Sequence, residues 1–178
     1  MRLALALAAV VLLAGCTVTT GPGTTATVGE RTATVVSVAD GDTVDVRFAD
    51  GSEDTVRLLG VDSPETGGEV SPDEFDAPDT EAARECLRRV ADDAAAFAEE
   101  RLAGRQVTVA TDPSADRRGG YGRLLAYVTV VGAEQSFNRA LLASGYARVY
   151  VSDFSRLSAF QSTAADADAA DRGVWACG

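Results

Sequence analysis

Alternating apolar and polar positions predict strands over 32–38 and 43–48; in the second, Val44, Val46 and Phe48 share one face. Asp40-Gly41 between them is a hairpin signal, and Asp50-Gly51 marks the next turn. A third strand is predicted over 54–60. It is followed over 63–78 by an acidic, Pro- and Gly-rich stretch that reads as a long, mobile loop. The period then changes. Cys86, Val90, Ala94 and Phe97 recur at helical spacing, which predicts a helix capped by Asp79 or Thr80, running to about residue 103 and ended by Gly104. Further strands are predicted over 106–111 and 123–131, a short helix over 136–144 closed by Gly145, and a weakly hydrophobic last helix over about 156–172.

Five strands with a helix between the third and the fourth form the element order of an OB-type barrel. The expected class is α+β, mainly β: a five-stranded Greek-key barrel with about three helices. At 178 residues and 46% hydrophobic content the chain suffices for one domain with one real core. That domain is expected over 31–178. Before it, residues 1–16 place one Arg ahead of a short apolar run ending in Leu13-Ala14-Gly15-Cys16. This is the layout of a secretory signal peptide, and its end resembles a lipobox, which would make Cys16 the site of lipidation. A plain cleaved signal and an uncleaved anchor are the alternatives; all three export the domain. Residues 17–30, rich in Thr, Gly and Val, read as a flexible tether. A lipid on Cys16 would hold the protein to the outer face of the cytoplasmic membrane without a spanning helix.

Charge changes the picture. The net charge is -11, all 16 basic residues are Arg, and His is absent. Missing His excludes His-based general bases, nucleophile activation and metal sites. An acidic chain is a poor first choice for binding a polyanion. In strong brine, however, the Debye length shrinks to about 3 Å and negative charge serves solubility. A Lys-free acidic composition fits that setting; a GC-rich genome favouring Arg codons is the other source of it. With Cys16 lipidated, Cys86 and Cys177 remain as an even pair. In an exported domain that reads as a disulfide from the first helix to the C-terminal region, with two unpaired thiols as the alternative.

Three segments carry the candidate chemistry: Asp40-Gly41-Asp42-Thr43, then Arg57 through Asp62-Ser63-Pro64-Glu65, then Tyr121-Gly122-Arg123-Leu124-Leu125-Ala126-Tyr127. Each alone is a turn or a charged strand. In this order and at these spacings they resemble the staphylococcal-nuclease (thermonuclease) family, whose pattern includes Asp-Gly-Asp-Thr, then Arg-Leu-x-Gly-(Ile/Val)-Asp-(Ser/Thr)-Pro-Glu, then Tyr-Gly-Arg-x-Leu-Ala-Tyr. The resemblance covers about residues 32–150. It implies a monomeric, Ca²⁺-dependent enzyme that hydrolyses phosphodiester bonds in DNA or RNA.

The chemistry of these residues agrees with what the resemblance implies. Adjacent strands can bring the carboxylates of Asp42 and Asp62 into one coordination sphere, and carboxylates with a carbonyl and waters suit Ca²⁺. The resemblance assigns that carbonyl to Ser63. It makes Glu65 the group that holds or deprotonates the attacking water. Arg57 and Arg123 offer planar guanidinium forks to the phosphate. Tyr121 would stack on or hydrogen-bond the nucleotide, or else pack on the barrel rim; Tyr150 is a second candidate for the nucleotide site. The family commonly places an Asp two residues before its motif Tyr. Here Asp116 stands five residues before Tyr121, and Arg117 and Arg118 are read instead as an extension of the phosphate-binding rim. A catalytically silent barrel that binds nucleic acid or protein, and an envelope protein with a structural Ca²⁺ site, are the competing readings. Silent copies usually lose a metal carboxylate or a catalytic Arg, and none is lost here; a structural Ca²⁺ site does not explain why Arg57 and Arg123 occupy the motif positions.

Overall fold

The computed structural model describes residues 29–178. The signal segment, Cys16 and the tether as far as residue 28 lie outside the described residues. The strands are β1 (Glu30–Asp40), β2 (Thr43–Phe48), β3 (Glu53–Leu58) and the two-residue β4 (Val61–Asp62). Helix α1 (Glu81–Leu102) precedes β5 (Gln106–Ala110) and β6 (Leu124–Val130); α2 (Phe137–Ser144), a short β7 (Arg148–Val149) and α3 (Leu157–Asp168) complete the order.

Five of these strands close into a barrel in the order β1-β2-β3-β6-β5, with β5 returning to β1. Every pairing is antiparallel except β3 with β6, which is parallel. This is the OB arrangement that the element order predicts. The alternation is realised literally: Val44, Val46, Val56, Leu58, Val107, Val109, Ala126 and Val128 point inward and are almost fully buried. Ala98 and Leu102 of α1, Leu141 and Leu142 of α2 and Phe160 of α3 join the same core.

Asn138 meets the barrel's main backbone debt. Its Oδ1 accepts from Val128 N–H at 3.0 Å, while Nδ2 donates to the carbonyls of Leu59 at 3.0 Å and Ala126 at 3.2 Å. It is wholly buried, so without it the Val128 N–H and the Leu59 carbonyl would lose their side-chain partner in a dry interior, while the Ala126 carbonyl would keep its bond from Leu59 N–H.

The structure departs from the sequence expectation in three places. The buried face of α1 is Ala83, Leu87, Val90, Ala91, Ala94, Ala98 and Leu102. Cys86 and Phe97 flank that seam rather than form it, because the small Ala residues let the helix lie close to the barrel. The segment 63–78 is not a free loop: Val70, Phe75 and Ala77 are buried with Leu87, Val90, Val174 and Cys177 in a second small core, and Pro72–Phe75 form a turn of 3₁₀ helix. Finally, α3 ends at Asp168 instead of near 172. Asp171 and Gly173 take left-handed backbone angles, so the chain leaves the helix and docks beside Gly145, where Val174 N–H donates to the Gly145 carbonyl at 2.9 Å. Any Cβ on Gly173 would lie 2.0 Å from that carbonyl oxygen.

From there the chain reaches Cys177, whose sulfur is bonded to that of Cys86, 91 residues earlier. Closing a loop of that length restricts the unfolded chain by about 4–5 kcal/mol on the chain-entropy argument.

Asp112 ties the end of β5 to the entrance of α3. Its oxygens accept from Ser114 N–H at 2.8 Å, Tyr127 hydroxyl at 2.7 Å, Ser155 N–H at 2.9 Å and the Ser155 hydroxyl. Burial would raise its pKa, but the Ser155 and Tyr127 hydroxyls and the two backbone donors outweigh this and hold it at about 2. Against an unfolded value of about 3.9, the lowered pKa stabilises the fold fully above about pH 4. That contribution is lost as pH falls through about 2. Asp112→Asn is therefore expected to lower stability by about 1–3 kcal/mol at neutral pH. Urea unfolding at pH 7, 4 and 2.5 should show the gap between wild type and variant closing toward the lowest pH; a constant gap would contradict this account.

Candidate functional site

The turn between β1 and β2 fixes the first carboxylate. Asp42 N–H donates to Asp40 Oδ1 at 3.0 Å, and the Asp42 carbonyl accepts from Leu58 N–H at 2.8 Å. The side chain turns inward, where Oδ2 accepts from Ser63 N–H at 2.8 Å and Oδ1 from the Thr43 hydroxyl at 3.1 Å. Gly41 is what permits this approach. A Cβ there would stand 2.7 Å from Ser63 Oγ and 2.7 Å from Ala94 Cβ.

Strand register places the next groups. Arg57 on β3 lies opposite Thr43 of β2 on one side and Leu125 of β6 on the other. It is therefore next to Asp42, and Arg123 arrives two residues before Leu125. Arg57 Nη1 is in close contact with Asp42 Oδ2, while Nη2 donates to Asp62 Oδ1 at 2.6 Å. Nη1 nevertheless finds no acceptor in hydrogen-bonding geometry. Asp62 and Arg148 face each other across the β4–β7 ribbon, and Arg148 Nη2 donates to Asp62 Oδ2 at 2.7 Å. Arg148 in turn lies over the Phe75 ring, 5.4 Å from its centre, so the second core supports the ribbon.

Arg148 balances Asp62, but the buried Asp42 shares Arg57 with Asp62 and has Asp40 beside it, which leaves an electrostatic imbalance. Burial pushes the Asp42 carboxyl up to about 7, against the pull of Arg57 and with a further push from Asp40. A hard dication would correct that imbalance. Among the described residues no three Asp, Glu, Cys or His side chains cluster as ready cation ligands. The oxygen donors of Asp42, Asp62 and the Ser63 main chain are nonetheless the right type for Ca²⁺. Ser63 Oγ is buried beside them without a partner. The residues present fit the ion.

Arg123 Nη1 donates to Thr43 Oγ at 3.3 Å, which links it through Thr43 to Asp42. Its guanidinium carbon lies 5.5 Å from the centre of the Tyr121 ring. Tyr121 is 91% exposed and Tyr150 54% exposed, so neither packs as a rim core residue. With Arg57, Arg123, Asp116 and Val151 they line a groove of about 910 Å³. Asp116 is thus a groove residue on its outer wall.

Glu65 stands apart. It is exposed on the segment after β4 and makes no side-chain hydrogen bond or ion pair among the described residues. The structure brings Asp42, Arg57, Asp62, Ser63 and Arg123 to one end of the barrel and does not tie Glu65 to them. Cys86 and Cys177 lie away from this end, in the second core.

Two functional neighbours escaped the sequence reading. Arg148 sits in a two-residue strand too short to show a period; only its position after the helix-ending Gly145 could have hinted at it. The sequence places Arg118 with Arg117 in an extended phosphate-binding rim and gives no sign of its partners: its guanidinium is held by Asp54 and the Gly122 carbonyl. No local pattern reports a pair 64 residues apart.

Comparison with known proteins follows the same residues. The family described as staphylococcal nuclease homologue matches residues 55–177. The uncharacterized protein MJ1439 of Methanocaldococcus jannaschii is 36% identical over 147 residues, covering 79% of this chain and 70% of that protein. The SPbeta prophage-derived endonuclease YokF of Bacillus subtilis is 32% identical over 145 residues, covering 80% of this chain and 43% of that protein. The thermonuclease of Staphylococcus hyicus is 32% identical over 119 residues, or 67% of this chain and 59% of that protein. The chain thus spans about half the length of the two relatives named as nucleases.

The geometry makes Gly41 the tightest point of the site. Gly41→Ala is expected to cost about 1–3 kcal/mol by overpacking against Ser63 and Ala94. An unchanged urea midpoint would mean that the gap between the turn, Ser63 and α1 opens freely.

Proposed function

Since the chain belongs to the staphylococcal nuclease family, we propose that it is a nuclease that hydrolyses phosphodiester bonds of DNA or RNA in a Ca²⁺-dependent manner. The observation that carries this reading is the convergence of Asp42, Arg57, Asp62 and Arg123 at the head of one groove. Asp42, Asp62 and the Ser63 carbonyl would hold the ion. When bound it would supply positive charge to the phosphoryl oxygens and lower the pKa of a coordinated water.

The chain's own residues account for the rest. Arg57 lines the groove while held between Asp42 and Asp62, and a cation taken up by those carboxylates would leave its guanidinium to a phosphate oxygen. Arg123 stands on the far side of Thr43 and supplies the second fork. Two permanent cations at fixed positions stabilise the charge that gathers on the phosphoryl oxygens in the transition state. Tyr121 and Tyr150 give the groove exposed rings on which bases can stack; such stacking tolerates any sequence. Glu65, being unpaired and exposed, is free to accept a proton from the attacking water once substrate fills the groove.

The proposal extends to place. The layout of residues 1–16 supports export, with Cys16 carrying a lipid that tethers the domain to the membrane surface. The described residues contain no helix long and apolar enough to cross a membrane. Labelled fatty acid should enter the wild-type chain and not Cys16→Ser; equal labelling of both would remove the tether from this reading.

The central test is cleavage of single-stranded DNA and RNA in molar KCl, with Ca²⁺ or with chelator. Cleavage is expected only with Ca²⁺. Arg57→Ala, Arg123→Ala and Glu65→Gln are each expected to reduce kcat by roughly 10²–10³-fold or more. Binding without turnover by the folded wild type would sink the catalytic reading and leave a silent binding barrel.

A further inference from the structure

The segment that delivers Tyr121 and Arg123 is built from Arg118-Gly119-Gly120-Tyr121-Gly122-Arg123. Three glycines in six residues make it entropically expensive to hold in one shape. Its base is a small hairpin, with Arg118 bridged to Leu124 and Leu125 N–H donating to the Arg117 carbonyl at 3.0 Å, while its tip has few contacts. Gly122 N–H donates to the Gly119 carbonyl at 2.9 Å, and Gly119 N–H donates to the Arg123 carbonyl at 3.0 Å. Gly122 takes a left-handed φ of 77° and has nothing packed near its Cα. Gly120 likewise has open space around it. Tyr121, at the tip, is 91% exposed. The tip from Gly120 to Gly122 is thus the least restrained part; it carries Tyr121 and leads directly into Arg123.

One side chain crosses this gap. Arg118 Nη1 and Nη2 donate to Asp54 Oδ1 and Oδ2 at 3.0 and 2.7 Å, a two-pronged fork. The same Nη1 also donates to the Gly122 carbonyl at 2.6 Å. Asp54 lies on β3, three residues before Arg57 and in register with Val46 of β2, so it belongs to the rigid barrel wall. Its side chain is only 21% exposed. Beyond the β3–β6 pairing that begins at Leu124, it is this guanidinium that fastens the glycine segment to the strand that carries Arg57. The fastening point is the peptide bond that leads directly into Arg123.

We propose that Arg118 and Asp54 form a positioning pair that fixes Arg123 and Tyr121 relative to Arg57, and that Arg118 does not itself contact the substrate. This rests on the nuclease reading for its consequence, but not for the clamp itself. A paired, bidentate Arg has no free fork for a phosphate. The chemistry of the site asks for such a device. Two guanidinium groups on different elements must meet one phosphate, and a misplacement of about 1 Å can cost on the order of 10²-fold in rate.

The two roles open to Arg118 differ in the sign of one variant. As a direct phosphate contact, Arg118 would be hindered by Asp54, and Asp54→Ala would tighten nucleic-acid binding. As a positioning pair, Asp54→Ala and Arg118→Ala should do the same harm. In Ca²⁺, each is expected to lower kcat/KM by roughly 10–100-fold. The double variant should be no worse than either single one, since the two residues act as one unit. In chelator, each should weaken binding of a fluorescein-labelled single-stranded octanucleotide. The melting temperature should change little, because an exposed ion pair contributes only about 0–1 kcal/mol. Amide hydrogen exchange at residues 119–123 should accelerate in both variants while the barrel strands stay protected. Tighter binding by Asp54→Ala, or full activity in either variant, would overturn the proposal. Should the wild type neither bind nor cleave, the nuclease reading fails instead. Hydrogen exchange then still decides the clamp, and unchanged exchange would refute it.

Discussion

Everything at the functional end of this barrel is arranged around a buried guanidinium between two carboxylates. Arg57 contacts Asp42 through one nitrogen and Asp62 through the other, and its side chain is 16% exposed. Charges in such a place are tolerated only when each has a partner. The partnership dictates the neighbourhood. Asp42 must come from the turn beside β3, so that turn must be tight enough for Gly41 to touch Ser63. Asp62 must follow β3 at once, so β4 needs its own short partner, β7, to hold it away from the barrel wall. Arg148, from that partner, balances the second carboxylate. Removing Arg57 would leave an acidic cluster whose members repel one another. The same residue thus supports the local fold and, on the proposed function, would offer a charge to substrate.

How far the chain's sequence discloses this depends on range. The barrel strands were legible because each carries its own alternation and its own turn residues. Val44, Val46 and Phe48 point inward whatever happens elsewhere, and Asp50-Gly51 turns the chain on local chemistry. Thr80 and Ser136 cap their helices through bonds to residues three positions on, a distance any window covers. The groove residues were legible only through a family pattern, since Asp42, Arg57 and Arg123 have no local reason to meet. What stayed hidden is what depends on distant partners. Asn138 is an ordinary helix residue until β6 and the Leu59 carbonyl surround it. Phe75 sits in an acidic, Pro-rich stretch that reads as solvent-loving, yet the C-terminal turn gives it a core to enter. Asp112 is intermediate: its bond to Ser114 N–H is a short-range turn signal, while those to Tyr127 and Ser155 are not.

For an acidic chain to take a polyanion, as proposed, its charges must be separated in space, and the ion pairs indicate how. Arg31, Arg47, Arg84 and Arg88 are all bound to neighbouring carboxylates on the outer surface. Such pairs cancel charge locally and project little field. Of the cations that line the groove, Arg57 is held by Asp42 and Asp62, while Arg123 has no carboxylate partner among the described residues and lies beside the exposed Tyr121 ring. At high ionic strength long-range attraction is screened and counterion release contributes little. Contact geometry then matters more than net charge, which is consistent with -11 on the chain as a whole.

The bond between Cys86 and Cys177 also divides the molecule topologically. It closes a covalent ring that contains β5, β6, α2, β7 and α3, and with them Arg123, Arg148 and both exposed tyrosines of the groove. Asp42, Arg57, Asp62 and Glu65 lie on the chain ahead of the ring. A single backbone cut inside the ring, in the exposed glycine segment for example, would leave the two pieces joined through sulfur. A cut between Glu65 and Cys86 would instead part the carboxylate half of the site from the half that carries Arg123, with only the shared barrel holding them together. To a protease in the surroundings these are different injuries, because every exposed peptide bond ahead of Cys86, at the Asp50-Gly51 turn as in the stretch after Glu65, lies outside the covalent ring.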